Sequence, residues 1–211
     1  MKSGAVIYEV DERLQYVYFP LDSVMSMLSV MENGSAVEVG SVGREGMAGV
    51  QMVLGSDQIP GRGICQVPGR AVRMPGKRFT ELFVNNLTFR ILLQRYTLAV
   101  FNVAAQSVAC NRLHPLAERC ARWLLMTQDR VGKDDFNLTH EFLAMMLGVR
   151  RAGVSTAAAM LQTAGYIHYL RGHVTIIDRL GLEGASCECY QAMVQEYERL
   201  MHIPIIAPRP N

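Results

Sequence analysis

The chain has 211 residues, half of them hydrophobic and 19% charged, with a formal net charge of +2, an ordinary balance for a globular protein with one large core or two small ones. No stretch approaches 18 uninterrupted apolar residues and Met1–Glu9 lacks an apolar leader region, which argues against a membrane span and a secretory signal. The five cysteines, Cys65, Cys110, Cys120, Cys187 and Cys189, are odd in number and mostly scattered, which fits reduced thiols in a cytoplasm better than a disulfide framework.

Charge is unevenly spread. Residues 1–86 hold 8 Lys+Arg against 9 Asp+Glu, residues 87–180 hold 11 against 6, and residues 181–211 hold 2 against 4. The basic excess therefore sits in the second half, where a footprint on phosphate is expected if the chain binds nucleic acid.

Residues 5 to about 75 read as short strands punctuated by glycine, the pattern of a β-roll with tight corners. The run Val24–Met31 and the run Ala36–Val39 flank Asn33-Gly34, which predicts a hairpin with a type I′ turn, both turn residues at positive φ. From about Phe79 the pattern becomes helical. An unbroken helix is predicted from about Thr88 to Cys110. Phe89, Leu93, Tyr96, Val100, Val103, Ser107 and Cys110 alternate spacings of four and three, the signature of a coiled-coil seam between two copies of the chain. The same residues also suit a helix packed on its own roll.

His114-Pro115 breaks that helix. Pro115 then suits the first position of another, running to about Thr127 with Trp123 and Leu124 inward. Residues 129–137 read as a polar loop. Leu138–Leu161 follows as two helices joined by a tight turn at Gly148. Thr139 caps the first helix, Leu143, Ala144 and Leu147 form its apolar face, and Val154 packs back onto it. Arg150, Arg151, Ser155 and Thr156 remain at the start of the second helix, where a recognition helix meets a major groove. An ordinary αα-hairpin with a basic corner is the alternative. Residues 166–177 then read as two strands around Arg171-Gly172, a wing whose tip carries Arg171 and His173 for phosphate or minor-groove contact. Tyr190, Met193, Val194, Tyr197 and Leu200 predict a last helix docked on the protein, and Pro204, Pro208 and Pro210 a loose end. Cys187-Glu188-Cys189 has no further metal ligands close by in sequence and reads as two free thiols.

Tyr18-Phe19-Pro20, Gly43-Arg44-Glu45-Gly46-Met47-Ala48-Gly49 and Leu138–Leu161 with the wing to Ile177 make residues 5–180 resemble the Crp/Fnr family of bacterial transcription regulators. The resemblance implies an α+β fold: a cyclic-nucleotide-binding-like β-roll sensor (1–85), a dimerisation helix (86–112), a winged helix-turn-helix (113–182), and a closing helix and tail (183–211). It implies a homodimer reading an inverted repeat in double-stranded DNA, with RNA polymerase as a further partner, and no enzymatic activity. Arg151, Ser155 and Thr156 would face bases, with Thr139 on phosphate. Arg44, Glu45, Gly46 and Arg62 are the candidate lining of an effector pocket.

The chain departs from the family's pattern. The roll has no Gly-Glu pair for a ribose and no Arg-Ser or Arg-Thr pair for a cyclic phosphate; Glu45-Gly46 has the reverse order, and glycines flank Arg62. An anion without its fixed guanidinium binds poorly, so cAMP is not the expected effector, which stays unassigned. No amino-terminal cysteine group exists to hold an iron–sulfur cluster, since the first cysteine is Cys65. The helix that usually precedes such rolls also has no counterpart. No cofactor or metal is expected. Two other classes stay open at this point: a dimeric scaffold whose helix-turn-helix binds protein, and a small β-barrel metalloprotein. All five histidines lie at or after His114, which leaves such a barrel without imidazole ligands.

Overall fold

Alternating apolar residues between turn formers give six strands in the first third of the chain, and a computed structural model describes their arrangement within residues 1–202. The expected loose end at Pro204, Pro208 and Pro210 lies outside the described residues. Strands β1 (Val6–Tyr8), β3 (Val24–Val30), β4 (Ala36–Val42) and β5 (Arg62–Val67) form an antiparallel sheet in the order β1-β5-β3-β4. Strands β2 (Tyr16–Pro20) and β6 (Ala71–Pro75) pair separately, and a 3-10 turn at Val50–Leu54 lies between β4 and β5 in the chain. Val17, Met25, Leu28, Val42 and Ile64 belong to the buried core.

The β3–β4 hairpin forms as expected, but its turn is of another type. Only Gly34 has positive φ, at 81°, while Asn33 does not. Gly34 N–H donates to Met31 C=O at 2.9 Å, and the Asn33 side chain accepts from the Ser35 N–H at 3.0 Å. The extra loop residue lets one left-handed glycine close the hairpin, where the two-residue form needs two. The type I′ geometry occurs instead in the wing, where Arg171 and Gly172 have φ of 50° and 79°.

Helix α1 (Gly76–Asn85) leads to α2 (Leu87–Leu113), capped by the Asn86 side chain accepting from Phe89 N–H. Helix α2 spans about 40 Å at 1.5 Å per residue. Next come α3 (Leu116–Val131), α4 (His140–Leu147) and α5 (Arg151–Thr163). Pro115 is the cap of α3 and not its first helical residue. The stretch expected as loop contains a strand, β7 (Asp135–Asn137), which pairs with β9 (His173–Ile176); β9 in turn pairs with β8 (Ile167–Leu170). Two helices end the described chain: α6 (Arg179–Gly184), which sequence reasoning missed, and α7 (Cys189–Met201), which lies along α2.

Roll and helical half share one apolar core. Polar connections also cross between them. Glu45 receives Arg130 of α3 at 2.7 Å, both side chains almost wholly buried. Nearby, Ser26 bonds Glu38 and Gln66, Gln66 bonds Thr127, and Trp123 donates to Glu38 at 3.1 Å. Burial raises the Glu38 carboxyl above the usual carboxylate range, an effect that the hydrogen bonds from Ser26 and Trp123 oppose.

Candidate nucleic-acid interface

The helix-turn-helix assembles as its residues dictate. Thr139 Oγ1 accepts from Phe142 N–H at 3.1 Å and caps α4. Gly148, with φ of 65°, ends α4 in the left-handed conformation that a side chain disfavours. Leu143, Ala144, Leu147 and Val154 are buried between the two helices. Tyr169 on the wing donates to Leu138 C=O, and burial raises its phenol, so it stays a donor. That bond ties the wing to the entrance of α4.

The predicted DNA-facing residues separate into two groups. Thr139, Arg150, Arg151, Thr156 and Arg171 are exposed. Arg151 pairs with Glu141 at 2.9 Å, with both side chains mostly in solvent, where such a pair is worth only about 0–1 kcal/mol and yields readily to a phosphate or base. Thr156 bonds back to Ala152 C=O at 3.2 Å and stays exposed.

Ser155 and His173 each have partners within the domain. Ser155 Oγ lies 2.9 Å from His140 Nδ1, and the His140 ring sits 4.5 Å from that of Tyr169, centroid to centroid. Ser155 thus bonds across from α5 to α4, with its side chain half-buried. His173 Nδ1 lies 3.0 Å from Asn137 Oδ1 and Nε2 lies 3.5 Å from Asp135, so it turns toward β7 and leaves the wing tip to Arg171. Met160 on α5 and Leu170 on the wing are exposed apolar residues on the same elements, which sequence reasoning did not single out.

The expected effector residues have other partners or lie exposed. Glu45 is consumed by Arg130 and by the Gly43 N–H at 3.1 Å, Arg62 pairs with Glu9 at the surface at 2.9 Å, and Arg44 points to solvent. A β-carbon on Gly46 would overlap the Tyr96 ring, so this glycine admits the α2 helix and not a ligand. The cavity nearest the domain junction is lined instead by Glu38, Ser41, Val100, Trp123, Arg130 and Tyr197 among others.

The expected dimer seam is also corrected. Leu93, Tyr96, Val103 and Cys110 are buried inside the chain, and Phe89 and Val100 pack on the same core. Tyr96 donates to Met47 C=O at 3.2 Å. The helix has a second apolar stripe. Leu87, Ile91, Gln94, Leu98, Phe101, Ala105 and Val108 repeat at spacings of four and three, and all are exposed, Phe101 at 69% and Val108 at 72%. Apolar residues on both sides of α2 fit two heptad registers, and the sequence alone does not say which faces inward.

Residues 118–185 match the family model of the Crp-like helix-turn-helix domain. Among curated proteins, none matches this chain by sequence. Among solved structures, FixK2 from Bradyrhizobium japonicum is similar with a TM-score of 0.75 at 15% identity, over 88% of this chain and 94% of that one. A transcriptional regulator of the CRP family from Thermus thermophilus matches with a TM-score of 0.72 at 15% identity, over 99% of this chain and 98% of that one. The c-di-GMP responsive global regulator CLP of Xanthomonas campestris matches with a TM-score of 0.63 at 13% identity, over 83% and 91%. The fold is that of the Crp/Fnr regulators. It comprises a β-roll, a long central helix and a Crp-like helix-turn-helix with its wing. Among the described residues no helix is long and apolar enough to cross a membrane.

Proposed function

We propose that this chain is a sequence-specific DNA-binding transcription regulator that acts as a homodimer on an inverted repeat. The observation that carries the reading is the open start of α5. Arg150 and Arg151 stand there in solvent with Thr156, between the capped end of α4 and the Arg171 wing turn. A helix presented this way enters a major groove by its first turns. Arg151 reads a guanine through O6 and N7, exchanging Glu141 for the base. Arg150, Thr139 and Arg171 hold phosphates and set the register. Thr156 offers a methyl to a thymine.

Two copies join along the exposed stripe of α2, which places two recognition helices on one face of a duplex, about 34 Å apart. The effector of this roll is a ligand other than cAMP, since the dipeptides that would fix a ribose and a cyclic phosphate are missing. The similar Xanthomonas protein is described as responsive to c-di-GMP, which supports a roll of this shape serving a different ligand. Contact with RNA polymerase belongs to the same reading, and catalysis does not.

The test is selection of sites from a random duplex pool, followed by anisotropy titrations of wild type and Arg151→Ala on selected and scrambled duplexes. A bidentate guanine contact is worth about 1–3 kcal/mol, so the variant should lose about 10- to 100-fold on the selected site and little on the scrambled one. Equal losses on both would remove the base-reading role. No binding even at low salt, where phosphate-driven affinity is greatest, would favour a scaffold that binds protein.

A further inference from the structure

The fold brings together four metal-ligating side chains that lie far apart in the sequence. Cys110 lies in the last turn of α2, and His114, four residues on, is the residue that caps the helix with an extended backbone. Cys187 and Cys189 sit at the start of α7. Their four ligand atoms all lie within 4.8 Å of one another. Cys110 Sγ is 3.5 Å from Cys187 Sγ, and Cys189 Sγ is 3.5 Å from His114 Nδ1. A zinc tetrahedron with bonds of about 2.3 Å to sulfur has edges of about 3.8 Å. These two edges already match that figure within a few tenths of an ångström.

The surroundings suit a metal as well. The three sulfurs form a buried cluster of their own, separate from the main apolar core. His114 presents Nδ1 to the cluster while Nε2 lies 3.1 Å from Glu188 Oε1, the carboxylate support that metal-bound histidines commonly have. Gln106 Nε2 donates to Cys189 Sγ at 3.1 Å, a bond that favours a sulfur carrying negative charge. Arg119 and Arg122 are buried on the adjacent helix, and among the described residues neither forms an ion pair. Each leaves its Nε without a hydrogen-bond partner. Arg122 donates only to the sulfurs of Met126 and Met193. Both arginines lie within electrostatic range of Cys110. Three thiolates and one imidazole around a divalent ion carry a net charge of about −1, which offsets these two buried cations in part.

We propose that Cys110, His114, Cys187 and Cys189 form a structural zinc site that clamps α7 to the corner between α2 and α3. Soft thiolates in a closed tetrahedral set with one imidazole select zinc over harder divalent ions. Binding releases three thiol protons to solvent and changes no oxidation state. Cys110 and His114 precede residues 118–185, which match the Crp-like domain, and Cys187 and Cys189 follow them. The clamp is therefore an addition around that domain and not part of it.

The test uses the full chain, purified under reducing conditions without chelator. Elemental analysis should find one zinc per chain. After chelation, titration with cobalt(II) should give one equivalent of a tetrahedral spectrum with thiolate-to-metal charge-transfer absorption. Cys187→Ser and His114→Gln should each weaken cobalt binding at least 10-fold. The wild-type spectrum stands alone should a variant fail to fold. Amide exchange along 107–114 and 186–201 should speed up on metal removal and recover on zinc return. No zinc together with no tetrahedral cobalt spectrum at micromolar metal would overturn the proposal. A Cys110–Cys187 disulfide in protein kept reduced throughout would overturn it too.

Discussion

Replacing Glu45 by Gln isolates the charge of the buried ion pair that, among the described residues, joins the roll to the helix-turn-helix half. The pair is 2.7 Å long and its side chains are 3% and 1% exposed. At that distance, and at an effective dielectric of about 20, the attraction is about 6 kcal/mol, most of it offset by the desolvation of both groups. What the substitution exposes is the remaining half, a guanidinium with no counter-charge beside it, and breaking such a pair typically costs about 3–5 kcal/mol. Gln still accepts from Gly43 N–H, and Arg130 still donates to Met126 C=O at 3.0 Å. The charge of Glu38 also reaches Arg130 and takes up part of the deficit. The expected loss is therefore near the lower end, about 3 kcal/mol. Urea unfolding at fixed protein concentration, followed by the fluorescence of the single tryptophan, Trp123 on α3, measures it. Glu45→Leu combined with Arg130→Met should lose less than Glu45→Gln alone, because no orphaned charge remains. A Glu45→Gln loss below about 1 kcal/mol, or a double variant worse than the single, would refute the reasoning.

The corrected seam predicts that Phe101→Glu shifts sedimentation to monomer. Burial of a phenylalanine is worth about 1.5–3 kcal/mol for each copy, and the melting temperature of the dilute protein should stay nearly unchanged. Ser155→Ala should cost about 1 kcal/mol of stability through the lost His140 bond while leaving base preference intact in the duplex selection; a changed preference would return Ser155 to the bases. Gly46→Ala should destabilise by about 3 kcal/mol, measured by urea unfolding, because the added methyl overlaps the Tyr96 ring. Glu38 holds its proton more tightly when folded than when unfolded. Its contribution to stability is therefore present below the unfolded carboxylate range and is lost as pH rises toward the raised folded value. Glu38→Gln should remove that dependence, so the stability difference between variant and wild type should move in favour of Gln across that window in pH-dependent urea titrations.

Local patterns were legible wherever one period and one turn residue agreed. Thr139, Gly148 and Val154 announced the helix-turn-helix because capping, left-handed φ and interhelical packing each demand a particular residue type at a fixed offset. The wing followed from Arg171-Gly172 between two apolar runs. Strand β7 was not legible, since Asp135-Phe136-Asn137 buries only Phe136 and owes its pairing to β9, which lies more than thirty residues on. The orientation of α2 was underdetermined for a different reason: its apolar positions satisfy two seams at once, and only the position of α7 and the roll selects Leu93 and Tyr96 for the interior. Glu45 and Ser155 were given to ligands because their partners, Arg130 and His140, are tertiary and invisible to spacing. The four-residue step from Cys110 to His114 was a local signal for a metal, but its meaning depends on Cys187 arriving from the far end of the chain.

The turn between α4 and α5 rests directly on the first hairpin of the roll. A β-carbon built on Gly148 would lie only 3.0 Å from Val37 of β4, and Ala36, Val37, Ala144 and Val149 line the crevice beside this contact. A displacement of that hairpin would meet the turn that precedes α5 directly. The roll and the start of α5 are thus linked by a path much shorter than the central rod.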